Sequence, residues 1–151
     1  EPLRDDPFVL AVPRGHRLAQ RKSVTWRELE GERLMAASRT SGNRQILDDA
    51  LSREGLRPAI MFEVNRVSTL LGMVAAGLGI AAVPGLTLPS PAHPTLKPIR
   101  LTDPSVSRTL GILSRHGAAL HPAAQILHGH LRTAFRASAA RQRRAAPSTR
   151  D

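Results

Sequence analysis

Residues 65–84 read NRVSTLLGMVAAGLGIAAVP, and two readings compete for them. Gly77 to Ala82, GLGIAA, fits G-x-G-x-x-A, the fingerprint of dinucleotide-binding α/β folds. That fingerprint needs a strand before it and a helix opening inside the glycine turn. Here Val67, Leu70, Leu71, Val74 and Ala75 recur at i, i+3, i+4, i+7 and i+8, so an amphipathic helix comes first. Asn65 or Ser68 is predicted to cap it, and Gly77 lies just past its end. A helix starting at Gly79 would carry Pro84 in its interior, at a cost of about 3 kcal/mol. The order is therefore helix, tight Gly-Leu-Gly turn, short buried strand Ile80 to Val83, then proline. The stretch reads as a structural turn, and no nucleotide or other cofactor is expected.

The flanks extend this alternation. Phe8 to Val12, FVLAV, is a short apolar run closed by Pro13 and Gly15, as expected of a buried strand. In TWRELEG, Thr25 and Glu28 have capping-box spacing before a short helical turn. Arg33 to Ser38, RLMAAS, is a second strand candidate. RQILDDALSREG then places Ile46, Leu47, Ala50 and Leu51 on one helical face, with Gly55 as the stop. AIMFEV, after Pro58, is a third strand. Pro84 to Pro104 is proline-rich: a loop through Pro89, Pro91 and Pro94, then an edge strand near Leu96 to Ile99, where a proline is tolerable. Arg108 to Arg115 reads as another strand. HPAAQILHGHLRTAF reads as a final helix with Pro122 at its first position and Ile126, Leu127, Leu131, Ala134 and Phe135 as its apolar face. Strands alternating with helices predict an α/β fold.

Composition narrows the function classes. The chain has 151 residues, 41% hydrophobic, with no cysteine, so it has no disulfide framework, thiolate nucleophile or Cys-ligated zinc. No apolar run reaches the roughly 18 residues of a membrane span. The first residues, EPLRDDPFVLAVP, resemble the approach to a strand already under way, as in a fragment, and contain no leader pattern. The net charge is +10, but half of it comes from six arginines against one aspartate between Arg132 and Asp151. The end of that stretch, RASAARQRRAAPSTRD, lacks large apolar residues and is expected to be a disordered basic tail over residues 137–151. With three Phe, one Trp and no Tyr, there is almost nothing to stack on bases. The lone Trp26 is expected to pack against the body. His128 and His130 are i and i+2 on a helix, about 200° apart, and cannot easily share one ion. No metal site is expected, and Asp48 and Asp49 read as a solvated face. No G-x-S-x-G elbow, H-E-x-x-H or P-loop is present, so no catalytic residue is assigned.

The order and spacing of DPFVLAVPRGHRLA, VTWRELEGERLMAAS, NRQILDDALSREGLRP, FEVNRVSTLLGMVAAGLGIAAVP and LHPAAQILHGHL, across most of residues 5 to 135, resemble the effector-binding domain of LysR-type transcriptional regulators. The helix–GLGIAAVP unit is the most specific part. Arg17 stands where the family usually has a proline after the histidine of HRLA, a departure confined to a loop. The resemblance implies a type 2 periplasmic-binding-protein-like fold: two α/β subdomains joined by crossing strands, with a small effector in the cleft between them. On that template residues 1–13 are the end of regulatory subdomain I and the first crossover strand. Residues 14–107 are subdomain II, and 108–136 the second crossover strand and C-terminal helix of subdomain I. It also implies a cytoplasmic homo-oligomer that is not an enzyme and meets promoter DNA only through an N-terminal winged helix-turn-helix outside this chain. A free-standing solute-binding protein on the same fold is the alternative.

Residue chemistry supplies candidates for the effector site. A helix N-terminus offers unpaired N–H groups and the positive end of a dipole, which suits a carboxylate or similar anion. Two such ends follow strands, at the carboxyl edge where α/β folds bind ligands. Ser38, Thr40 and Ser41 belong to the first, in SRTSGN. Asn65, Arg66 and Ser68 belong to the second, in NRVS. These six are the expected effector-binding residues; the competing reading of each is an ordinary cap or turn residue.

Overall fold

The computed structural model describes residues 1–88, 93–115, 117 and 120–145, with side chains as far as Phe135. The loop through Pro89 and Pro91, His116, and residues 146–151 of the expected tail lie outside the described residues. The strands are β1 (Pro2–Pro13), β2 (Ser23–Thr25), β3 (Leu34–Ala37), β4 (Ile60–Val64), β5 (Ile80–Pro84), β6 (Leu96–Thr102) and β7 (Ser107–Gly111). The helices are α1 (Gly42–Arg53), α2 (Val67–Ala75) and α3 (Pro122–Ala145). The fold is α/β. It divides into two units, 6–108 and a second made of 1–5 with 109–151, the chain passing between them within β1 and within β7.

In the larger unit the strand order is β2-β6-β1-β5-β3-β4. β3 runs parallel to β4 and β5, β2 parallel to β6, and β1 antiparallel to both of its neighbours. Alternation along β1 sets the two faces of the sheet. Phe8, Leu10 and Val12 join Leu34, Ile80 and Ile99 in a cluster that takes Leu47 and Leu51 of α1. Ala11 joins Met35, Ala81 and Val83 in a second cluster that takes Leu70 and Val74 of α2. The two helices therefore cover opposite faces. β3 leads through α1 to β4 at the sheet edge, and β4 leads back through α2 to β5 on the far side of β3.

The segment 65–84 forms in the order expected. After α2, Gly77 adopts φ 78, and bonds from Gly77 N to Val74 O (2.9 Å) and from Leu78 N to Met73 O (3.1 Å) close the helix end. This is the Schellman pattern that a left-handed glycine permits. Gly79 is needed for contact: a Cβ there would lie 2.3 Å from the Arg33 carbonyl oxygen. Thr25 and Glu28 form a reciprocal capping box, Thr25 N to Glu28 Oε2 at 2.8 Å and Glu28 N to Thr25 Oγ1 at 3.3 Å. The turn they serve is a short 3-10 helix, Arg27–Leu29. Trp26 is buried, and its indole N–H donates to Pro104 O at 3.0 Å.

Other expectations need correction. The strand near Leu96 to Ile99 runs on to Thr102, and only its last three residues lie between β2 and β1. Pro98 is tolerated because β2 pairs only with Arg100–Thr102, leaving Pro98 with a neighbour on one side alone. On α1, Ile46 is exposed and Arg44 is buried in its place, because carboxylates and a carbonyl surround the guanidinium. β7 ends at Gly111 rather than Arg115.

In the smaller unit the paired parts of β1 and β7 are fixed by Ile112 N to Glu1 O (2.9 Å) and by Thr109 Oγ1 to Asp5 Oδ1 (2.8 Å). Glu1 also bonds Arg132 and His128 of α3. Ile126 and Leu127 are 64% and 59% exposed while Leu131 and Phe135 are half-buried, so the expected apolar face of α3 is only partly covered. Two short strand segments offer too little apolar surface to bury it. α3 continues through Ala145, nine residues into the stretch expected to be disordered. Alanine and arginine are strong helix formers, and a helix can form without an apolar face.

Candidate functional site

The candidate residues lie where β3 and β4 end. The two strands pair from Leu34 to Ala37 and from Ile60 to Val64, and Ser38 N extends the ladder with a 2.9 Å bond to Val64 O. Residues 38–41 then form a compact turn. Ser41 N donates to Ser38 O at 2.8 Å, and the Ser38 and Thr40 hydroxyls lie 3.1 Å apart. Ser41 is the N-cap of α1, with extended φ −75 and ψ 130, yet its side chain makes no capping bond. The first-turn N–H groups of α1 therefore receive nothing from the hydroxyl best placed to satisfy them.

The second helix end is similar in kind. The N-cap of α2 is Arg66, not Asn65 or Ser68, and its side chain makes no capping bond either. Asn65 precedes the cap and Ser68 is the second helical residue. The helix starts at Val67 because that side chain packs with the cluster holding Leu70 and Val74. The structure thus brings all six predicted residues to one edge of the sheet, as two groups on adjacent strands. Thr40, Asn65, Arg66 and Ser68 are exposed, while Ser38 and Ser41 are half-buried. Among the described residues no side-chain bond joins one group to the other.

Beneath this edge lies a charged network that the sequence did not single out. Arg44, 6% exposed, bonds both Asp48 oxygens through Nε (2.8 and 2.9 Å). Its Nη1 reaches Ala37 O and Glu63 Oε1, both at 3.2 Å. Arg39 Nε adds a 3.3 Å bond to the same Glu63 oxygen. Burial works against the Arg44 charge, but Asp48 and then Glu63 outweigh it and raise its pKa. Burial likewise opposes the Glu63 charge, and Arg39 and Arg44 overcome it, lowering the carboxyl below its ordinary range. These charges are compensated locally. Arg66, by contrast, makes no ion pair among the described residues. The spacing of Arg44 and Asp48, i and i+4, was a readable signal; the link to Glu63 had none.

Three further residues adjoin the first group. Arg108 Nη1 donates to Asn43 Oδ1 at 3.0 Å, and Arg108 also pairs with the buried Asp6. These contacts span 65 and 102 residues, so no local pattern announces them. Asn43, Arg44, Phe8, Val67 and Pro84 border a partly open cavity of about 30 Å³. That is room for water and well short of the roughly 300 Å³ of a small-molecule pocket. The edge offers hydrogen-bond donors: helix N–H groups, hydroxyls, amides and one uncompensated guanidinium. That set suits an anion, and residues 38–43 and 65–68 include no histidine or carboxylate. Among the described residues no group of three potential metal ligands occurs, and no helix is long and apolar enough to cross a membrane.

Comparison with known proteins gives a consistent set of similarities. The family model of the LysR substrate binding domain matches residues 1–136. The HTH-type transcriptional regulator YbhD of Escherichia coli (strain K12) is 42% identical over 124 residues, 82% of this chain and 39% of the relative. The chain spans about two fifths of the length of the curated relatives it matches. Among solved structures, the effector binding domain of QuiR in complex with shikimate aligns with a TM-score of 0.72 at 23% identity, over 89% of this chain and 64% of that one. The BenM effector binding domain with its effector benzoate aligns with a TM-score of 0.59 at 31% identity, over 70% and 50%.

Proposed function

The chain belongs to the LysR substrate-binding-domain family, whose domains have the type 2 periplasmic-binding-protein-like fold, and from that premise we propose that it senses a small anionic effector for a transcriptional regulator. The observation that carries this reading is the pair of helix N-termini, at Ser41 and Arg66, that no side chain of their own caps, side by side at the carboxyl edge of β3 and β4. Unpaired N–H groups and the positive ends of two helix dipoles favour a negative ligand. Ser38, Thr40 and Ser41 would orient it from α1, and Asn65, Arg66 and Ser68 from α2. The QuiR and BenM domains were solved with shikimate and with benzoate, both carboxylates, and these supply the first probes.

On the same reading, residues 14–107 act as regulatory subdomain II. Residues 1–13 and 108–136 are the crossing strands and C-terminal helix of subdomain I. The regulator works in the cytoplasm as a homo-oligomer and performs no chemistry. It contacts promoter DNA through a winged helix-turn-helix outside this chain. Effector binding then shifts the balance between assemblies by its differential affinity for them.

The test is Thr40→Ala combined with Asn65→Ala in the full-length regulator, with affinity for benzoate and shikimate read by calorimetry. A loss of about tenfold or more, with melting temperature unchanged, is the expected result; a hydrogen bond to a charged ligand is worth about 1.5–3 kcal/mol. Unchanged affinity, or no binding of either acid by the unsubstituted protein, overturns the assignment.

A further inference from the structure

Asp6 is fully buried, and among the described residues its carboxylate is met by one side chain. Arg108 donates to Oδ2 through Nε (2.9 Å) and Nη2 (2.8 Å), while Oδ1 accepts from Leu86 N at 2.9 Å. Gly85 closes over the pair: a Cβ there would lie 3.1 Å from Pro7 O and 3.4 Å from Asp6 Oδ1. A planar guanidinium held by two bonds to an immobile carboxylate cannot turn. Its remaining Nη1 is aimed at Asn43 Oδ1, 3.0 Å away.

That third bond adds nothing to the neutralisation of Asp6. What it does is orient an amide. Arginine has donors and no acceptor, so the Asn43 oxygen must face Arg108, and the Nδ2 hydrogens must face away from it. Among the described residues nothing accepts from Nδ2. Asn43 is half-buried and is the second residue of α1, the helix whose N-cap makes no side-chain bond.

We propose that Arg108, locked by Asp6, is a positioning residue for the effector site: it turns the Asn43 amide so that its N–H groups serve the ligand bound at the start of α1. The inference rests on the effector reading above and adds Asn43 as a specificity-determining contact. A carboxylate takes two more donors there, and a ligand presenting a cation or a bare N–H group is refused.

The test uses the full-length regulator with benzoate and shikimate as probes, each variant being read for affinity and for melting temperature. Asn43→Ala should weaken binding about tenfold, the loss of one charge-assisted hydrogen bond, with little change in melting temperature. Asn43→Asp keeps the acceptor for Arg108 but removes the donors, and should weaken binding further. The neutral pair Asp6→Asn with Arg108→Gln avoids a stranded buried charge. It should weaken binding as Asn43→Ala does, and adding Asn43→Ala to it should cost nothing more. If that pair does not fold, Arg108→Lys takes its place, because an ammonium can stay with Asp6 but cannot also hold the amide.

If Thr40→Ala with Asn65→Ala weakens binding and Asn43→Ala does not, this proposal fails while the effector reading stands. Loss in Asn43→Ala with none in the neutral pair or in Arg108→Lys overturns the positioning role. If none of these variants changes affinity, or neither acid binds, the effector reading itself fails.

Discussion

Two glycines in one segment of 65–84 do opposite things. Gly79 is buried where β5 begins, and a Cβ there would meet the Arg33 carbonyl at 2.3 Å. The same carbonyl accepts from Ile80 N at 3.0 Å, so the backbone cannot retreat without losing a ladder bond. Gly72 lies inside α2, and a methyl group added there would have nothing within 4 Å. Gly79→Ala should therefore destabilise by about 1–3 kcal/mol through overpacking. Gly72→Ala should stabilise by about 0.5–1 kcal/mol by restricting the unfolded chain. Thermal melts of the two variants check both signs. The second glycine of GLGIAA is thus kept by a backbone contact, with no phosphate needed to explain it.

At the scale of an element, the capping box of the Arg27–Leu29 turn makes the acid response readable. The Thr25 N–H bond, followed by Arg21, holds the Glu28 carboxyl below its ordinary range. Because the folded value lies below the unfolded one, the stabilisation is fully present above the ordinary carboxylate range. It is lost as pH falls through the lower folded value, where the unfolded chain has already bound its proton. Melts from neutral pH to about pH 3 should therefore show Glu28→Gln less stable than the parent at neutral pH, with the gap closing in acid; a gap independent of pH would contradict it. The helix starts behave differently. Ser41 and Arg66 take extended N-cap geometry without capping, and their residues were as compatible with ordinary caps as with ligand contacts. Sequence could not separate those readings, because a cap hydroxyl is satisfied or not by a rotamer that neighbouring strands decide.

At the scale of the molecule, the two units differ in how much apolar surface they cover. In the larger one, Leu10, Val12, Met35, Val74 and Ala81 are fully buried between sheet and helices. In the smaller one, Ile126 and Leu127 of α3 stay exposed. Local opening is easier where few apolar contacts hold an element. Hydrogen exchange on this 151-residue chain should show the amides of Leu10–Val12 and Ala81–Val83 slowest, and those of 122–135 exchanging orders of magnitude faster. Equal protection of α3 and the central strands would rule out that difference.

Spacing and linear order were enough to establish the α/β alternation, the helix-then-strand order of 65–84, the capping box and the family, because each is written in intervals of three to eight residues or in the succession of segments. They also led to the two helix starts, since strand-then-helix order puts them on the carboxyl edge. It took the packed fold to set the end of β6 between β2 and β1, to bury Arg44 rather than Ile46, to carry α3 on to Ala145 with Ile126 and Leu127 uncovered, and to join Asp6, Arg108 and Asn43 in one chain of contacts. Strand order, burial of a charge and the pairing of residues 102 apart depend on what the fold brings alongside, and no local period encodes that.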